Sequence, residues 1–107
     1  MKRSTGARRL EQRSITELAK GQECQIRISG VCNWNPETTV ACHFRMAGLS
    51  GVGFIPPAIF AAWGCSSCHA WCDSHHDDAT RLAHALGVFR TQAALLKAGI
   101  QAGWRAA

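Results

Sequence analysis

Four cysteines set the strongest limit on how this chain can fold. They fall in two pairs, Cys24-x7-Cys32 and Cys65-x2-Cys68. A C-x2-C turn puts two sulfurs on one side of a tight knuckle, and the longer spacing is closed by a small hairpin in which QIRISGV supplies two arms around Ser29-Gly30. Four thiolates in two clusters suit tetrahedral Zn2+, with Zn–S near 2.3 Å. The chain has 107 residues, room for one domain whose core is marginal unless something staples it. Metal binding contributes folding free energy directly and answers that need. Three other readings of the cysteines stand beside it. The C-x-x-C pair can be a redox couple, although no thioredoxin-like strand–helix context surrounds it. CSSCH is also the pattern of a c-type haem attachment. Cysteines can also be buried small hydrophobes, which is the reading adopted for Cys42 and Cys72.

Compartment bears on that choice. The start, MKRSTGARRLEQRSITELAK, is charged throughout and lacks the apolar run of a secretory signal. The most apolar stretch, 53–64, is short and interrupted by Pro56-Pro57, so no membrane span is expected. A cytoplasmic location is the expectation, and there thiols stay reduced. The formal net charge is +5. Much of the excess lies in residues 1–20, read as a basic arm with a short helix, where Arg3, Arg8, Arg9 and Arg13 are the candidate nucleic-acid contacts. A basic arm suits a polyanion. Residues 21–107 are read as a single zinc-binding domain.

Local patterns give a coarse plan. Ser14–Lys20 reads as a short capped helix stopped at Gly21. Glu23–Ile28 alternates polar and apolar residues as a strand would, and Thr38–Phe44 reads as a strand rich in β-branched and apolar residues. Residues 45–58 are loop by composition, and Ile59–Gly64 suits a second strand. Helix resumes just inside Cys65–Cys68 and runs to about His75. Asp77–Leu86 and Val88–Ala98 read as two helices broken at Gly87, with Leu82, Leu86, Phe89, Leu95 and Leu96 giving apolar faces. The four tryptophans, Trp34, Trp63, Trp71 and Trp104, read as core. The fold class expected is α+β.

Within that plan, His69 and Asp73 share one helix face four residues apart, a two-point ligand set for a second divalent metal. The competing reading is that His69 packs beside the zinc site and Asp73 is solvated. His43, at the end of the first strand, is a candidate general base. Arg45 is a candidate phosphate contact on the same side. His84 reads as structural.

The segment ECQIRISGVCNWNPETTVACHFRMAGLSG, then Pro-Pro, then CSSCH resembles the YbcO-like nucleases of phages and prophages, which belong with the His-Me finger (HNH-like, treble-clef) enzymes. The resemblance runs from about Gly21 to Asp73 and more loosely from Gly87 to Ile100. It implies a small zinc-stabilised treble-clef ββα-metal domain with flanking helices. It further implies that His43 is the base, that His69 and Asp73 hold Mg2+ or another divalent cation, and that the structural zinc stays outside the chemistry. The partner implied is DNA, cut by a metal-dependent endonuclease in phage or prophage recombination or processing. The chain departs from the family pattern at Cys42, where many such sites have a carboxylate or histidine, at Ile55, where related sequences tend to carry a basic residue, and at Ala58, where they tend to carry an acidic one. A zinc-dependent nucleic-acid-binding protein without catalysis is the alternative expectation. Oligomeric state is not legible at this stage.

Overall fold

In the computed structural model of the chain, residues 15–46 and 58–98 are described. The elements run from a 3-10 turn at Pro36–Thr38 to strand β1 (Val40–His43), a second 3-10 turn at Ala58–Phe60, strand β2 (Ala61–Gly64), helix α1 (Ser66–Ser74) and helix α2 (Asp78–Lys97). Before them, residues 15–17 are helical. The expected N-cap Ser14, the arm residues Arg3, Arg8, Arg9 and Arg13, and Ile55, Gly99 and Trp104 lie outside the described residues. The result is a small α+β domain with no helix, among the described residues, long and apolar enough to cross a membrane.

β1 and β2 form an antiparallel pair with Val40 opposite Gly64 and His43 opposite Ala61. Every residue of β2 is buried, because α2 packs on it along the face carrying His84, Gly87, Val88, Thr91 and Leu95. Thr91 holds the two together: its hydroxyl accepts from the Trp63 amide at 2.9 Å and donates to the Gly87 carbonyl at 2.8 Å. Two apolar clusters result. One surrounds the cysteines, with Ile26, Cys42, Ala62 and Val88. The other gathers Ile15, Ala19, Ala58, Trp63 and Leu95, and there the Trp63 indole donates to the Ile15 carbonyl at 2.7 Å. That bond satisfies the one polar atom a buried indole brings.

Several elements differ from the sequence reading. Residues 23–28 are not a strand. Burial does alternate there, with Cys24 and Ile26 inside, but Arg27 adopts φ 57° and its amide donates to the Cys24 sulfur at 3.4 Å. The backbone is thus bent into a knuckle around a thiol instead of extended along a partner. The hairpin at Ser29-Gly30 is present: Val31 and Cys32 amides both donate to the Ile28 carbonyl, at 3.1 and 2.9 Å, and Gly30 takes φ 79°, a conformation that costs glycine little. The two C-terminal helices are one, Asp78–Lys97, running unbroken through Gly87. A Cβ at Gly87 would stand 2.9 Å from Ile26 Cγ1, 3.2 Å from Ala62 Cβ and 3.2 Å from the Gln25 carbonyl oxygen. The glycine therefore permits close approach and does not end the helix. Leu95 is buried, but Leu82, Leu86, Phe89 and Leu96 face solvent. Of the tryptophans, Trp63 is buried, whereas Trp34 is 67% exposed.

Candidate functional site

The sulfurs of Cys24, Cys32, Cys65 and Cys68 all lie within 4.8 Å of one another, and those of Cys32 and Cys65 are 3.9 Å apart. A regular tetrahedron of Zn–S bonds has S···S edges of about 3.8 Å, so the donor set fits such an ion in both chemistry and size. Among the described residues this is the one group of three or more His, Cys, Asp or Glu side chains close enough to hold a metal ion. Cys42 and Cys72 stand outside it.

Local backbone explains why these four thiols converge. Cys65 is the N-cap of α1, its sulfur accepting from the Cys68 amide at 3.3 Å. The Asn33 amide reaches the same sulfur at 3.5 Å. Burial opposes ionisation at Cys65, but those two amides and the neighbouring thiols bring it down to about 7. Burial, helped by Cys24, pushes Cys32 up to about 11, and burial raises Cys68 further. Four thiolates so close would repel one another, so these groups hold protons that a bound cation would displace. Between the two knuckles Asn33 acts as a tie, a role the sequence reading gave only to a turn. Its side-chain nitrogen lies 3.2 Å from Thr38 Oγ1, 3.2 Å from Ser66 Oγ and 3.3 Å from Ser67 Oγ. Ile26 completes the docking of the first knuckle. It is pressed against Gly64 of β2 as well as Gly87 of α2, a Cβ on Gly64 lying 2.6 Å from its Cδ1.

His43 closes β1 and is half-buried. Its pKa is lowered from 6.5, first by burial, then by the positive charges of Arg45 and of His69 when that ring is protonated. The strand end is held by α2 on both sides of His43. The His84 Nε2 lies 2.9 Å from the Cys42 carbonyl; a carbonyl only accepts, so that nitrogen carries the proton. Arg81 donates to the Arg45 carbonyl at 2.8 Å and stands 4.7 Å over the Phe44 ring. His84 meets the same ring edge-on. Arg81 gave no signal in the sequence beyond its charge. On α1, His69 Nε2 and Asp73 Oδ2 are 3.5 Å apart at the surface, so the pair shares one helix face as its spacing predicted. The His69 amide donates to the Cys65 carbonyl at 2.8 Å, tying it directly to the cysteine knuckle. His75 and Asp77 serve the fold: His75 stacks on Trp71 at 3.5 Å, and Asp77 caps α2 by accepting from the Thr80 amide at 2.8 Å.

With this geometry in view, residues 13–100 match the family described as "Putative nuclease YbcO". The chain belongs to the YbcO family. A YbcO relative from Escherichia coli (strain K12), named "Putative nuclease YbcO", is 44% identical over 90 residues, which span 80% of this chain and 94% of the relative. A YbcO protein of Enterobacteria phage 82, with the same name, matches to the same extent. A solved structure from Escherichia coli, described as "Structure of a putative bacteriophage protein from Escherichia coli str. K-12 substr. MG1655", is similar with a TM-score of 0.65 at 41% identity, covering 78% of this chain and 98% of that one. The YbcO match takes in all four cysteines, His43, Arg45, His69 and Asp73, and leaves out most of the basic arm.

Proposed function

We propose that this chain is a metal-dependent endonuclease hydrolysing DNA phosphodiester bonds, of the HNH-like His-Me finger type, in phage or prophage DNA recombination or processing. The observation that carries the reading is that α1, the helix bearing His69 and Asp73, packs against β1, the strand that ends at His43. The order strand, strand, helix, with the cysteine knuckles at its base, is the arrangement expected of a zinc-stabilised treble clef.

Cys24, Cys32, Cys65 and Cys68 would hold the structural Zn2+, and His69 and Asp73 a Mg2+ or similar divalent cation. Such a cation, when bound, supplies Lewis-acid stabilisation of charge on the phosphodiester. Two protein donors suffice for it, since Mg2+ commonly keeps waters and substrate oxygens in its remaining positions. His43, held neutral at pH 7, accepts a proton from the attacking water. The water oxygen forms the new bond to phosphorus as the bond to the 3′ oxygen breaks, and solvent returns a proton to that oxygen. Arg45 offers a planar guanidinium to the phosphate. His84 and Arg81 keep the strand end fixed, so that His43 does not have to be ordered during the reaction. The basic residues Arg3, Arg8, Arg9 and Arg13 add sequence-independent attraction for the DNA backbone.

Cleavage of plasmid and branched DNA with Mg2+ or Mn2+ tests the reading. His43→Ala should lose at least about 100-fold in rate with metal content and folding unchanged. Full activity of that variant in a clean preparation would remove His43 as the base. A second reading, nucleic-acid binding without catalysis, is favoured by one observation: Ala58, a position where the family pattern has an acidic residue, is buried against Trp63 and Leu95 in the second core cluster. Salt-dependent DNA binding without cleavage under any divalent metal would support it.

A further inference from the structure

Helix α2 presents to solvent a face that contains no polar side chain. The exposed positions from Ala79 to Leu96 are Ala79, Leu82, Leu86, Phe89, Ala93 and Leu96, and all six are apolar. Leu82 is 60%, Leu86 40%, Phe89 65% and Leu96 54% exposed. Their spacing alternates three and four residues across the helix, the a/d pattern of a coiled-coil seam. An ordinary surface helix turns its apolar stripe inward and its charges outward. Here the opposite face already packs on β2, and the polar side chains beside the stripe are drawn back to the body: Arg81 to the Arg45 carbonyl, Arg90 to the Gln25 carbonyl at 2.8 Å and Gln92 to the Ile59 carbonyl at 2.8 Å.

We infer that this face is the interface of a homodimer, in which α2 of one chain packs antiparallel on α2 of a second copy. The stripe is complementary to itself in that orientation. With the two-fold axis between Leu86 and Phe89, Ala79 faces Leu96 of the partner, Leu82 faces Ala93, and Leu86 faces Phe89. At both ends a small residue meets a large one, which is how facing layers interdigitate without voids. In a parallel pairing Ala79 would face Ala79 and Ala93 would face Ala93, leaving gaps, and the helix dipoles would align unfavourably. The antiparallel pairing also brings the Asp78 end of each helix level with the Lys97 end of the other. The four large side chains expose roughly 450 Å² per chain, within the roughly 300–600 Å² of the largest apolar patch on a typical monomer, a patch that is often functional. Two such patches give roughly 900 Å², and flanking residues bring the pair to the about 1,000 Å² a specific interface needs. The inference stands apart from the nuclease reading, since no residue of the seam belongs to the cysteine cluster or to the His43 site.

Sedimentation velocity of the full-length, metal-loaded protein over a concentration series from low micromolar upward tests it. The native chain should sediment as a dimer. Phe89→Asp and Leu82→Glu should each weaken dimerisation by about 100-fold or more, with metal per chain and circular dichroism unchanged because both side chains are exposed. A native chain that is monomeric throughout the series overturns the inference. So does a native dimer that neither substitution affects, since its contact then lies elsewhere. Orientation has its own readout: L82C/A93C should form an intermolecular disulfide under mild oxidation, and L82C alone should not. Cross-linking by the single variant would overturn the antiparallel register.

Discussion

Gly87→Ala separates two accounts of α2 that predict opposite signs. If Gly87 were simply a flexible point in a long helix, alanine would add about 1 kcal/mol of stability through helix propensity. The packing says otherwise. The added methyl would meet Ile26 Cγ1 at 2.9 Å, Ala62 Cβ at 3.2 Å and the Gln25 carbonyl oxygen at 3.2 Å. Ile26 is itself buried and wedged against Gly64, so it has little room to retreat. The Gln25 oxygen belongs to the backbone and is held by Arg90. Overpacking a core of this kind costs about 1–3 kcal/mol; three contacts on fixed partners put Gly87 at the upper end. After the propensity gain, a net loss of about 1–2 kcal/mol remains, or a fall in Tm of roughly 5–15 °C for a domain of this length. Thermal unfolding followed by circular dichroism, at a fixed concentration of free zinc because bound metal shifts the transition, measures it. An unchanged or higher Tm for Gly87→Ala would refute the close approach of the first knuckle to α2.

Other consequences follow from the same contacts. Cys68→Ser should abolish stoichiometric metal and, with it, the cooperative thermal transition, because a buried structural site that loses a ligand loses most of its contribution to folding; calorimetry with metal analysis reports both. Ile26→Ala should cost about 2–5 kcal/mol by leaving a cavity between Gly64 and Gly87, read from denaturant titration. His84 gives a pH dependence: burial, partly offset by its bond to the Cys42 carbonyl, holds its folded pKa below 6.5. Between the folded and unfolded values the unfolded chain binds the extra proton, so stability is full above 6.5 and falls as pH drops below it. His84→Gln keeps a donor for that carbonyl and removes the titration, so its Tm should fall less on acidification than that of the native chain; an identical fall would assign the acid sensitivity elsewhere.

The cysteine cluster was legible because thiols able to hold a metal ion announce themselves by residue type and spacing. The two cysteine pairs, the turn at Ser29-Gly30 and the helix starting inside Cys65–Cys68 all appear where the sequence puts them. So do β1 and β2, each shorter than its reading by a few residues. Two kinds of error arose, both from local rules overridden by tertiary contact. Alternating polarity at Glu23–Ile28 is what a strand shows, yet the Cys24 sulfur needs an amide donor, and Arg27 leaves the extended region to provide it. Gly87 is a helix breaker by propensity, but its missing side chain is what lets Ile26 reach the helix. The apolar residues of α2 were read as faces with no side assigned: Leu95 turns inward, and Leu82, Leu86, Phe89 and Leu96 point away from the body. Periodicity reports that a stripe exists and is silent on what covers it. Asn33, Arg81 and Gln92 were opaque for a related reason. Each acts through a bond to a residue more than 30 positions away, and no local pattern encodes such partners.

The account rests on four sulfurs closing around one ion. Native mass spectrometry of the purified chain, with elemental analysis before and after exposure to a strong chelator, addresses that directly. The account predicts one zinc per chain, and loss of the folded charge-state distribution once the metal is stripped. A chain that carries no stoichiometric metal and keeps its folded distribution in chelator would contradict it.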